Sequence, residues 1–128
     1  MTTPSTTVPS LDLLEVVRTN DYFRRVVDTG VHAQVVVMTL KVGEDIGSEV
    51  HPTIDQAFIF VAGKGEAILD GEKKTFDEGD LVFVRAGTQH NIINRGDTPL
   101  RLITIYAPPA HEPGTIHKTK ADAEHEEH

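Results

Sequence analysis

The feature that most constrains the fold is a series of short runs rich in β-branched and aromatic residues, separated by turns that contain glycine. The densest run is residues 32–42, HAQVVVMTLKV, and this composition is typical of a β-strand. Asp70-Gly71 predicts a two-residue hairpin turn, because such turns need positive φ angles. Residues 11–17 are compatible with either a first strand or a short helix. Short strands at close spacing predict an all-β sandwich or barrel.

Two segments begin with glycine and an acidic residue and then place histidine inside a strand-like run. They are residues 43–63, GEDIGSEVHPTIDQAFIFVAG, and residues 79–94, GDLVFVRAGTQHNIIN. Glu49 and His51 point to the same side, because side chains alternate along a strand, and a proline turn lets the chain return Gln56 toward them. With His90, these residues offer two imidazoles, a carboxylate and an amide oxygen. That combination is a plausible ligand set for a divalent metal ion.

The spacing of glycine and histidine in both segments closely resembles the two motifs of the cupin superfamily. Gly43 and Gly63 match the ends of the first motif, while Gly79, Gly87 and His90 match positions of the second. The resemblance extends over residues 43–94, with strands expected on either side. It implies a double-stranded β-helix, or jelly-roll, barrel with a metal ion in its interior.

Three positions depart from the family pattern, although the spacing is intact. Glu49 stands where the first histidine is usual, Gln56 where glutamate is usual, and Arg85 where proline is usual. The resemblance therefore implies one divalent transition metal per chain, Zn, Mn, Fe or Ni, held by Glu49, His51, Gln56 and His90. Because glutamine is neutral, a divalent ion would leave this site net positive, which favours an anionic or enolisable ligand.

Two alternatives to this ligand set remain open from the residues alone. His51 and His90 could be hydrogen-bonded core residues, as isolated histidines in β-rich chains usually are. Asp55 could replace its neighbour Gln56 if the shorter spacing of the family applied. Alternation along the strand favours Gln56, which shares a face with the phenylalanines that follow it.

Length and composition are those of a single domain. The chain has 128 residues, of which 38% are apolar, and this suffices for one hydrophobic core. We expect an N-terminal arm and first strand in residues 1–18, the barrel in residues 19–110, and a polar acidic tail in residues 111–128. Within that tail, His111 and His117 are expected at the surface rather than as ligands. His125 and His128 are expected to be solvated.

Composition also excludes several kinds of partner and site. The chain contains no cysteine, so neither disulfides nor thiolate metal sites can form. A net charge of -8 argues against binding to nucleic acid or to an anionic membrane. No apolar run approaches the roughly 20 residues that span a bilayer. The first ten residues do not resemble a signal peptide, so we expect a cytoplasmic location.

Residues near the two segments are candidates for catalysis and for substrate binding. Tyr106 ends the last predicted strand and is a candidate for proton transfer, with Asn94 as an orienting group. Arg85 could meet an anionic substrate, and Phe58 and Phe60 could line the pocket.

The ligand set is compatible with three classes of function. The first is an isomerase in which the metal acts as a Lewis acid on a small oxygenated molecule, similar to the sugar-phosphate isomerases of the cupin superfamily. The second is a non-haem dioxygenase, and the third is a protein that binds a small ligand without catalysis. The resemblance also implies a homodimer, with the N-terminal arm or residues 11–17 covering a sheet edge.

Overall fold

The computed structural model describes residues 10–126; residues 1–9 and 127–128 lie outside it, and with them most of the predicted N-terminal arm and His128. In chain order the elements are α1 (Leu13–Thr19), β1 (Arg24–Thr29), β2 (Gln34–Leu40), β3 (Asp55–Ala62), β4 (Gly65–Leu69), β5 (Glu72–Phe76), β6 (Leu81–Val84), β7 (His90–Asn94), β8 (Leu100–Ala107), β9 (Ile116–His117) and α2 (Lys120–Glu126). Neither helix in this part of the chain has the length and apolar character needed to cross a bilayer.

The strands form two antiparallel sheets, which confirms the prediction of an all-β fold. The larger sheet has the order β6-β3-β8-β2-β1-β9 and the smaller one the order β5-β4-β7. The turn between β4 and β5 is the predicted hairpin, and Asp70 and Gly71 adopt φ angles of 49° and 82° in it. The core between the sheets receives side chains from both, among them Met38, Phe58, Phe60, Ile92 and Leu102.

Residues 11–17 contribute to a helix, so the helix and not the first strand is the correct alternative for this run. The side chain of Asp12 caps α1 by accepting a hydrogen bond from the amide of Glu15 at 3.2 Å. The buried Val17 then packs with Val37 and Ile103 on the outer face of the larger sheet. A cap followed by apolar residues at helical spacing outweighs the strand propensity of two adjacent valines.

Much of the predicted solvated tail packs against the barrel. Strand β9 pairs with β1 through Arg24 and His117, and β1 itself is not apparent in the sequence pattern. Helix α2 follows, with Ala123 buried in the core and the Lys120 ammonium paired with Asp45. A two-residue strand and a seven-residue polar helix are too short to show periodicity, so the sequence pattern did not indicate them.

Candidate metal centre

The two predicted segments are joined by backbone hydrogen bonds at the positions of the expected ligands. The amide of Glu49 donates to the carbonyl of His90, and the amide of His90 donates to the carbonyl of Glu49, both at 2.9 Å. The amide of Gly87 donates to the carbonyl of His51 at the same distance. Residues directly opposite in an antiparallel pair present their side chains to the same face. The backbone therefore brings Glu49, His51 and His90 together.

The side chains of Glu49, His51 and His90 form a compact group. Their potential ligand atoms all lie within 4.8 Å of one another, and the two imidazole centroids are 5.4 Å apart. Ligand atoms held by one ion at about 2.1 Å can be no more than about 4.2 Å apart. A small closure of the side chains would thus bring all three atoms to coordination distance.

The orientation of His90 suits a metal ligand. Its Nδ1 lies 3.0 Å from the carbonyl oxygen of Thr88, so Nδ1 carries the proton and donates it, and Nε2 is left as an electron-pair donor. This Nε2 is buried and has no hydrogen-bond partner among the described residues. Burial lowers the pKa of His90, although the hydrogen bond to Thr88 opposes this effect. The ring is therefore held in the neutral form that binds metals.

Gln56 fits the fourth ligand position better than Asp55. Gln56 is 2% exposed, whereas Asp55 is exposed and accepts a hydrogen bond from the amide of Ala86 at 2.9 Å. The Gln56 Nε2 donates to the hydroxyl of Thr104 at 2.9 Å, while its buried Oε1 has no hydrogen-bond partner among the described residues. A buried acceptor without a partner is costly unless a cation or water satisfies it. The donor set thus fits a divalent ion.

A cavity of about 480 Å³ adjoins this group of side chains. Its lining residues are His51, Ile54, Pro109, Ala110, His111, Glu112 and His117. The hydroxyl of Tyr106 lies 3.3 Å from Nε2 of His111, within hydrogen-bonding distance, and the Tyr106 ring is 6.1 Å from that of His51. The cavity is large enough for a small molecule that also touches the metal site.

The comparison with known proteins agrees with these observations. A family model described as the cupin domain matches residues 36–106. The solved structure of BH2720 from Bacillus halodurans is 38% identical, covers 95% of this chain and 96% of its own, and superposes with a TM-score of 0.90. This chain is a cupin.

Two further matches define the extent of the likeness. YrkC of Bacillus subtilis is 48% identical over 111 residues, which are 81% of this cupin and 59% of YrkC. This cupin therefore spans about three fifths of the length of YrkC. A Klebsiella pneumoniae protein with a double-stranded β-helix domain is 24% identical, covers 86% of this cupin and 97% of its own chain, and has a TM-score of 0.70. Together with BH2720, it confirms the predicted double-stranded β-helix fold.

His111 and His117 are not surface residues in this cupin, contrary to the expectation, whereas His125 is exposed as expected. His117 is 2% exposed and its Nδ1 lies 3.1 Å from a guanidinium nitrogen of Arg24. His111 is half-buried over the cavity. Burial and the positive charges of Arg24, His117 and His51 lower the pKa of His111 to about 4. The expectation was wrong because the chain turns back after β8 and lays this segment along the barrel.

The other predicted site residues lie in different environments. Phe58 is fully buried with its ring 6.1 Å from that of His90, so it packs beneath the metal centre. Phe60 stacks on Phe76 at 3.5 Å and belongs to the core. Arg85 is exposed and is not among the residues that line the cavity.

Asn94 was expected to orient a substrate, but its side chain is bonded to the backbone. Its Nδ2 donates to the carbonyls of Leu40 and Thr98 at 3.1 and 2.9 Å, and its Oδ1 accepts from the amide of Gly96 at 2.9 Å. These bonds join the end of β7 to that of β2 and to the following turn. The role of Asn94 is therefore structural.

Sequence reasoning missed one residue that positions the cavity wall, Gln34. Its Oε1 accepts from the amides of Ala110 and His111, both at 3.1 Å, and its Nε2 donates to the carbonyl of His111 at 2.7 Å. The side chain of Gln34 is 1% exposed. It makes the backbone hydrogen bonds to residues 110 and 111 that a neighbouring strand would otherwise make. A polar residue among the valines of β2 was the available signal, because such a residue must find buried partners.

Proposed function

We propose that this cupin is a metal-dependent enzyme that transfers protons on a small oxygenated molecule, in a reaction of the isomerase or epimerase type. The observation that carries the proposal is the Tyr106–His111 pair beside His51. A hydroxyl and a neutral imidazole within hydrogen-bonding distance can donate or accept a proton next to a metal-bound substrate. The metal is one divalent ion held by Glu49, His51, Gln56 and His90.

The division of labour follows from the positions of these groups. When bound, the divalent ion would polarise an oxygen of the substrate as a Lewis acid. Tyr106 exchanges a proton with the substrate. His111 accepts a hydrogen bond from the Tyr106 hydroxyl, because its lowered pKa keeps the imidazole neutral at pH 7. The buried phenylalanines of β3 keep water away from the inner side of the centre.

A dioxygenase is the second candidate, and a specific observation favours it. Glu49, His51 and His90 provide two histidines and one carboxylate, which is the ligand content of non-haem iron enzymes that react with oxygen. The amide oxygen of Gln56 as a fourth ligand favours the redox-neutral reaction instead, because Gln56 beside Glu49 resembles the ligand set of the sugar-phosphate isomerases of the superfamily more than the usual oxygenase sets. If neither chemistry occurs, the same cavity serves a cupin that only binds a small molecule.

Metal content is the first test. Elemental analysis of protein purified without a histidine tag should give about one transition metal per chain. His51→Ala and His90→Ala should each remove most of it, because each deletes a ligand. His111→Ala should retain the metal. Equal losses in all three variants would place the metal elsewhere and contradict the assignment.

The reaction class is tested by exchanging the metal. With Zn or Mn bound, deuterium from the solvent should enter an α-hydroxycarbonyl compound such as glyceraldehyde, and Tyr106→Phe should slow the exchange about a hundredfold. The metal content of Tyr106→Phe should be that of the wild type. Turnover that requires both iron and air, measured as oxygen uptake, would replace the isomerase proposal with the dioxygenase.

We further propose that the protein is a cytoplasmic homodimer. Strand β6 is the edge of the larger sheet, and it exposes 61% of Leu81 and 49% of Phe83. Leu14 on α1 is also exposed, to 46%. Exposed apolar side chains at a free sheet edge support pairing with a second copy.

A further inference from the structure

The amide of Gln56 is fastened to the barrel wall at its nitrogen end. Gln56 lies on β3, opposite Val84 of β6 and Tyr106 of β8, and its side chain is 2% exposed. Its Nε2 donates a hydrogen bond to the hydroxyl of Thr104 at 2.9 Å. Its Oε1, which is also buried, has no hydrogen-bond partner among the described residues. The wall therefore satisfies the nitrogen, and the oxygen is left as an acceptor for a cation.

The position of Thr104 on β8 explains this contact. Thr104 is fully buried, and its neighbours across the sheet are Val36 of β2 and Phe58 of β3. It is a diagonal neighbour of Gln56, which faces Tyr106 two positions further along β8. Diagonal neighbours share a face and lie within reach of a long side chain. The hydroxyl is thus a polar group in an apolar row of the core, and Gln56 is its partner there.

Glutamine can bind a metal ion through its oxygen and not through its nitrogen. The amide nitrogen carries two protons and can only donate hydrogen bonds. When the oxygen binds an ion, the nitrogen turns toward the barrel wall, where a buried donor without an acceptor is costly. The hydroxyl of Thr104 supplies that acceptor. The same bond polarises the amide and makes its oxygen a better electron-pair donor.

We propose that Thr104 is the positioning residue that makes Gln56 a neutral metal ligand. The proposal rests on the proposed function, because the ion is the one assigned there to Glu49, His51, Gln56 and His90. A glutamate at position 56 would have an oxygen at each end and could bind the ion with one or both. A glutamine has one oxygen, so it depends on an acceptor for its nitrogen. Thr104 thereby keeps the charge of the four ligands at that of Glu49 alone.

The test measures zinc affinity of the full-length protein by competition with a coloured chelator. Valine has the shape of threonine without the hydroxyl, so Thr104→Val should weaken zinc binding at least about tenfold. In protein that also carries Gln56→Glu, the same change should weaken it less than about threefold, because both carboxylate oxygens can bind the ion. Thr104→Ser keeps the hydroxyl and should bind zinc within about threefold of the wild type.

A spectroscopic measurement distinguishes positioning from a general loss of structure. Zinc should shift the carbon NMR signal of the Gln56 side-chain carbonyl in the wild type and in Thr104→Ser. The shift should be smaller in zinc-loaded Thr104→Val, because the amide is no longer held toward the ion. The matched control is Thr39→Val, since the half-buried Thr39 donates its hydroxyl proton to the carbonyl of Asn20 at 2.6 Å. Thr39→Val should bind zinc as the wild type does.

The outcomes separate this inference from the proposed function. A wild type whose zinc affinity is unchanged by His51→Ala and His90→Ala contradicts the metal centre itself. If those variants lose zinc while Thr104→Val retains wild-type affinity, the inference alone is overturned. Equal weakening by Thr104→Val in the glutamine and glutamate backgrounds would make Thr104 a core residue with no positioning role, and this would also overturn it. If Thr104→Val does not fold, the wild-type spectrum decides, and a Gln56 carbonyl signal that zinc does not move would refute the inference.

Discussion

Replacement of Gln34 by methionine should release the cavity wall, because this side chain is what fastens it to the barrel. Methionine has nearly the same length and fills the buried space, but it cannot replace the amide. The substitution removes four hydrogen bonds, three to residues 110 and 111 and one from Nε2 of Gln34 to the hydroxyl of Thr29 at 3.0 Å. The change therefore isolates hydrogen bonding from packing.

The magnitude follows from these four bonds. Each contributes about 1 kcal/mol net, which sets an upper value of about 4 kcal/mol. The freed backbone groups can reach water once the segment moves, so we expect a loss of about 2.5 kcal/mol in the free energy of unfolding. For a domain of this size, unfolding entropy converts that loss into a fall of about 9 °C in the melting temperature.

Urea titration, thermal unfolding and amide hydrogen exchange measure the effect. Exchange at the amides of Ala110 and His111 should accelerate roughly seventyfold, the rate equivalent of 2.5 kcal/mol. The control is Gln89→Met, since the Gln89 side chain is exposed and its Nε2 donates a hydrogen bond to the hydroxyl of Ser48 at 2.9 Å. It should change stability by less than about 0.5 kcal/mol. Wild-type stability and wild-type exchange in Gln34→Met would refute the reasoning.

Three further predictions address packing, pH and assembly. Gly65→Ala should lower the free energy of unfolding, measured by urea titration, by more than about 3 kcal/mol, because the new Cβ would lie 2.1 Å from the carbonyl oxygen of Ile93. The control, Gly30→Ala, should leave the free energy of unfolding nearly unchanged. Burial raises the pKa of Asp45, but hydrogen bonds from Asn91 and Lys120 outweigh it, so the pKa is lowered. The stability advantage of metal-free wild type over Asp45→Asn should therefore hold above about pH 4 and vanish as the pH falls further; a constant difference down to pH 2 would contradict it. Light scattering should show a dimer for the full chain, and loss of the dimer or of solubility when the first 18 residues are deleted; a monomeric full chain at micromolar concentration would refute this.

The sequence by itself determined the barrel and the position of the candidate metal centre. Strand alternation and turn chemistry act over a few residues, so they place Gln56 inward, Asp55 outward and the hairpin at Asp70-Gly71 without knowledge of the rest of the chain. The glycine and histidine spacing also identified the pair of segments that the Glu49–His90 bridge later joins. These features were predictable because each is encoded locally or in a family pattern.

Only the tertiary structure decided what surrounds the metal centre. Arg24 and His117 meet across 93 positions of the sequence, and Gln34 reaches His111 across 77. Neither contact has a local signature, because a buried arginine, histidine or glutamine looks like a surface residue until its partner is known. The wall of the cavity is therefore built by contacts between distant residues, while the candidate metal centre is built by two short motifs.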